Sequence, residues 1–219
     1  MSAKVSKFAR TALAAAIAIS GTVATTALAT STAHATTTSV TNGQISRSEI
    51  LARAQYWYNQ RANIPYSQGG NYPDQQGASY RTDCSGFVSM AWHLSAPGLS
   101  TKGLPGVSHE INRSDLRPGD VLNDYEDHVI LFEKWQDAAH TVFDYYSFGS
   151  TPVKHVLGVS INAPYFDSHP NSLYKALRYD NVVEDAAASN VQLGIVGADG
   201  AQYSQYGNYA SGSFNSSWT

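Results

Sequence analysis

The chain has 219 residues, a net charge of −3, a pI near 6.1 and a single cysteine. No Lys/Arg stripe marks it for nucleic acid. One cysteine rules out an internal disulfide framework and a thiolate metal cluster, and no H-E-x-x-H run is present.

Residues 1–35 read as an export signal. Lys4, Lys7 and Arg10 precede an Ala-rich apolar run that closes on Ala33-His34-Ala35, a small-x-small cleavage pattern. The expectation is therefore a secreted protein, extracellular or wall-associated, with no membrane span once processed. Residues 36–44, "TTTSVTNGQ", carry no periodicity and read as a linker.

Ser46-x-x-Glu49 forms a capping box before "ILARAQYWYNQR". Ile50, Ala54, Trp57 and Tyr58 fall on one face of that helix. "NIPYSQGGNYPDQQGAS" is Gly-, Pro- and Asn-rich and reads as a long functional loop. "CSGFVSMAWHL" follows as a second helix, ended by Pro97 and Gly98. "STKGLPGVSHEINRSD" reads as loop with about one helical turn.

The pattern then turns to strands: "DVLND", "HVILFEKW", "HTVFDYYSF", "TPVKHVLGVS", and "LYKALRYDNVV" as a last strand with a helix-tolerant centre. Residues 184–219, rich in Gly, Ser, Asn, Gln and Tyr, show no core pattern and read as a mostly disordered tail. A polymer-binding role for the tail's tyrosines is the sharper alternative. The fold class expected is α+β over residues 45–183.

Cys84 alone would pass for a small core residue. Three neighbours argue for chemistry instead. It opens a helix, where free N–H groups favour a thiolate. Gly86 costs helix stability but permits close backbone approach. A long polar loop leads into the thiol. Of the seven histidines, His128 is the best-placed base, because it opens an apolar strand and so stands at a sheet end.

The third group is sought on the next strand among His140, Asp144 and Ser147. Parity turns on the hairpin loop. A three-residue loop places His140 and Asp144 on the histidine's face, whereas two or four residues place Phe143, Tyr145 and Ser147 there. Asp144 is preferred, because it lies deeper in the sheet than His140 and a carboxylate within "VFDYY" needs a partner.

"DCSGFV", then "LRPGDV", then "HV" opening a strand resemble the NlpC/P60 family of secreted cell-wall cysteine peptidases. The resemblance covers about residues 45–183, with "QGG" after Tyr66 where the family has "WGG". It implies a papain-like core with N-terminal helices on a small antiparallel sheet. It also implies Cys84 as nucleophile, His128 as general base, and Tyr66, Asp83 and Ser85 on the substrate side. No cofactor or metal is implied. The implied substrate is peptidoglycan or a related peptide, cut at an amide bond of the stem peptide by a monomer. Alternatives are a catalytically silent wall- or protein-binding module, a CHAP-type amidase, or a transglutaminase-like acyl-transfer enzyme.

Overall fold

The computed structural model describes residues 38–185 and two further strands, Val191–Val196 and Gln202–Gly207. Residues 1–35, read from the sequence as an export signal, lie outside the described residues. In chain order the elements are β1 (Ile45–Ser46), α1 (Arg47–Asn59), β2 (Ser67–Pro73), β3 (Ser79–Thr82), α2 (Cys84–Ala91), β4 (Ser108–Glu110) and β5 (Val121–Asp124). Then come β6 (Val129–Trp135), β7 (Val142–Ser147), β8 (Lys154–Ser160), β9 (Tyr165–Phe166), β10 (His169–Pro170), β11 (Tyr174–Tyr179) and β12 (Val182–Val183), and finally β13 (Val191–Val196) and β14 (Gln202–Gly207).

The architecture is mixed helix and strand. A six-stranded antiparallel sheet of order β4-β11-β5-β6-β7-β8 carries the two helices on one face. Val121, Val129, Leu131, Tyr146 and Leu177 face Trp57, Phe87, Val88 and Met90 from the helices. Leu122, Ile130, Phe132, Phe143 and Tyr145 face the other way, under Leu116, Phe166 and Tyr174. Burial on both faces explains why "VILF" is apolar without alternation. Among the described residues no helix is long and apolar enough to cross a membrane.

Local chemistry explains where these elements begin and end. Ser46 caps α1 by accepting from Glu49 N–H at 3.2 Å. The reciprocal half of the box is spent elsewhere: the Glu49 carboxylate takes the N–H and Oγ–H of Ser39. Ser39 is also 2.8 Å from His93 Nδ1, so the stretch read as linker is fastened to the domain at this point. Asn42 and Ser95 exchange hydrogen bonds as well.

The long Gly/Asn/Gln loop proves to be a hairpin, β2–β3. Asp74 organises its turn by accepting from the N–H groups of Gln76 and Ala78, and Gly77 takes φ +89. Arg53 fixes the turn to α1 through a buried 2.6 Å pair with Asp74. The second helix is shorter than expected, stopping at Ala91 before His93 at φ +54. "LYKALRY" is wholly strand, as β11.

Asp120 of "PGD" is fully buried and holds Arg47 at 3.1 Å and Arg178 at 2.7 Å, joining α1 to the sheet. Within 184–219 the structure describes the antiparallel pair β13–β14, from Val191↔Gly207 to Val196↔Gln202. The rest of that tail lies outside the described residues.

Candidate active site

Cys84 is the first residue of α2. Asp83 caps the helix, accepting from Gly86 N–H at 2.6 Å and pairing with Arg81 at 2.9 Å. Ser85 donates to Asp83 and receives Arg81 Nη2 at 3.1 Å. Asp83 and Ser85, expected on the substrate side, are buried and already committed to one another and to Arg81. They border a groove of about 300 Å³ that also meets Gln68, Thr101 and Asp127. Tyr66 packs edge-on against Phe148 at 5.6 Å. Burial, then the neighbouring Cys84 sulfur, raises its phenol against the hydrogen bond it shares with Gln68. Gln68 lines the same groove as the thiol.

The sulfur lies against the backbone on either side of His128. It is 3.9 Å from the Asp127 carbonyl oxygen, and the N–H groups of Val129, Ser85 and Cys84 turn toward it. Among the described residues no hydrogen bond joins Sγ to the imidazole. His128 is 2 % exposed, and its Nε2 faces β7: Ser147 Oγ is 3.0 Å away and Asp167 Oδ2 3.4 Å. Its ring stacks on His169 with centroids 4.3 Å apart.

Two expectations need correction. The first is Asp144, which does not reach His128. The pairing is Ile130↔Ser147 and Phe132↔Tyr145, so Ser147 takes the position beside the imidazole. A bulge between Phe132 and Lys134, and another where β7 meets β8, shift the register at Asp144. Its carboxylate is satisfied there by Gly158 N–H at 2.8 Å and Gln136 Nε2 at 2.7 Å, with Lys134 3.6 Å away. It needed a partner, as its apolar setting implied, and the bulge provided one. His140 is also remote, with Nδ1 on the Ser114 carbonyl and its ring stacked on Trp135. Asp144→Ala is expected to cost about 1–3 kcal/mol of stability and leave the surroundings of Cys84 and His128 unchanged. Denaturant melts and the iodoacetamide reactivity of Cys84 check both halves.

The second correction concerns the thiol. Cys84 is 6 % exposed, and burial first, then the Asp83 carboxylate, pushes it up to about 11 against the N–H donors around it. At neutral pH it is a thiol, not a resting thiolate. Its alkylation by iodoacetamide is expected to rise about tenfold per pH unit through neutral and mildly alkaline pH, levelling only near about 11. A plateau already at neutral pH would contradict this. The ordinary value is 9.0, so the thiol's contribution to stability is complete below that pH. It is lost as the pH climbs from there to about 11.

Protein-family models, curated proteins and solved structures contain no match to this chain.

Asp167 escaped the sequence reading. It occupies a two-residue turn between β9 and β10, with φ +44 there and +72 at Ser168. Ser147 donates to its Oδ2 at 2.5 Å and Lys154 to its Oδ1 at 2.5 Å. The available signal was "FDSHP", an Asp at the head of a tight turn, which says nothing of which distant strand the carboxylate will meet. Among the described residues no group of three His, Cys, Asp or Glu side chains is arranged to hold a metal ion.

Proposed function

We propose that the protein is a secreted cysteine peptidase or amidase that hydrolyses amide bonds in peptidoglycan stem peptides. The observation that carries this reading is the position of Sγ against residues 127–129, on the strand end whose imidazole is tethered at Nε2. A tethered Nε2 turns the other nitrogen, Nδ1, into the available base. The "DCSGFV", "LRPGDV" and "HV" resemblance to NlpC/P60 peptidases supplies the substrate class and a papain-like reading of the fold.

Because the thiol is protonated at rest, His128 acts as a general base during attack rather than as half of a standing ion pair. Nδ1 accepts the Cys84 proton as Sγ forms its bond to the amide carbonyl carbon. The backbone N–H groups of Cys84 and Ser85 stabilise the oxyanion. The imidazolium then protonates the leaving amine as the C–N bond breaks. Water, deprotonated by His128, cleaves the thioester and restores the thiol.

The near-complete burial of Cys84 favours a second reading, a binding module that retains the fold without turnover. Incubation with purified peptidoglycan, followed by mass identification of new amine and carboxyl ends, separates the two. The hydrolase yields ends that include hydroxamates when hydroxylamine competes with water. Intact peptidoglycan after exhaustive incubation would establish the binding module instead.

A further inference from the structure

We propose that Asp167 is a positioning residue, brought by the β9–β10 hairpin from outside the main sheet, that holds the His128 proton on Nε2 by way of Ser147. The kinetic part of this inference rests on the hydrolase reading above; the structural part does not.

The direction of each hydrogen bond can be worked out from proton supply. A serine hydroxyl has one proton to give. Ser147 gives it to Asp167 Oδ2 at 2.5 Å. That carboxylate is ionised and can only accept: Lys154 Nζ occupies its other oxygen at 2.5 Å. Burial alone would raise Asp167, but hydrogen bonds from His128, Lys154 and Ser147 outweigh it and hold the group well below the usual carboxylate range. Ser147 Oγ therefore presents only lone pairs to His128 Nε2, 3.0 Å away. Their contact is a hydrogen bond only if Nε2 carries the proton. Asp167 Oδ2, 3.4 Å from the same nitrogen, favours the same state. Nδ1 is left with its lone pair, the form a base needs.

The same hairpin constrains the ring's face. His169 stacks on His128 at 4.3 Å and 12°. Its Nδ1 lies 2.8 Å from the Asp167 carbonyl oxygen, and its Nε2 lies 3.3 Å from Asp127 Oδ2. The opposite margin is closed by the chain at Gly149. A Cβ there would stand 2.6 Å from Asp167 Oδ2 and 2.9 Å from His128 Cε1. The left-handed backbone at Asp167 is tolerated by Asp and Asn better than by most residues, which makes asparagine a conservative replacement.

The test is the ¹⁵N spectrum of His128 in the full chain and in D167N, with kcat and KM on a stem peptide. The intact protein should show the proton on Nε2. In D167N an amide N–H can face Ser147, turning the hydroxyl proton toward the imidazole and releasing or moving the ring proton to Nδ1. That predicts a changed nitrogen pattern and a fall in kcat of about 100-fold with KM nearly constant. A merely structural role would not move the tautomer. The proposal is overturned by a proton on Nδ1 in the unsubstituted protein, a measurement that needs no variant. It is equally overturned by a folded D167N with unaltered spectrum and kcat. If the spectra behave as expected and no peptide is cut, the hydrolase reading fails and the positioning role stands.

Discussion

Cys84→Ala is expected to abolish cleavage of peptidoglycan stem peptides, a loss of at least about 10⁴-fold in kcat, while leaving the fold intact. Neither Ser85 nor Tyr66 stands in for the thiol. Ser85 is buried, donates to Asp83 and is held by Arg81. Tyr66 carries a phenol raised by burial first and then by the charge of Cys84. Removing one sulfur from a small, nearly closed site costs about 1 kcal/mol or less of packing, so the thermal melt should fall by no more than about 2–4 °C. Activity lost together with the melt would mean that the thiol is a core residue. Activity retained in a folded variant would remove it from the mechanism.

Gly86→Ala should produce the largest change in stability. A Cβ at residue 86 would lie 2.1 Å from the Arg81 carbonyl oxygen and 2.8 Å from its carbon. Those are backbone atoms, and Arg81 is itself anchored: its N–H donates to Pro97 and its guanidinium reaches Asp83 and the carbonyls of Gly98 and Leu99. Relief requires lifting the start of α2 away from β3, which displaces Cys84 as well. The expected loss is about 3 kcal/mol or more, or roughly 6–12 °C in melting temperature for a domain of this size. Hydrolysis should fall too, because the nucleophile moves. A melt within about a degree of the unsubstituted protein would contradict the packing described here.

Much of this arrangement was legible in the sequence because local chemistry governs it. Ser46 announced α1, the missing side chain of Gly86 announced a close backbone approach, and "HVILFEKW" announced a strand opened by His128, which the structure starts one residue later, at Val129. The β2–β3 hairpin was hidden because β2 is polar, Gly-rich and only partly buried, and its turn depends on Asp74 meeting Arg53 of another element. The third group was misassigned for a geometric reason. Parity counted from the hairpin loop presumes an unbroken ladder, whereas a bulge between Phe132 and Lys134 reverses the alternation at Asp144.

The ionisation of Cys84 was misjudged for a related reason. The start of a helix favours a thiolate in isolation, but tertiary burial and the capping Asp83 outweigh the local N–H donors. Asp167 was beyond reach, since nothing along the chain couples a turn between two-residue strands to a hydroxyl on β7.

The most direct measurement is an acid quench during turnover of a stem peptide, followed by intact-mass and fragment analysis of the protein. A thioester adduct whose mass equals the acyl half of the peptide should map to Cys84 and be absent from Cys84→Ala. Continued cleavage by Cys84→Ala, with no adduct on the unsubstituted protein, would contradict the account.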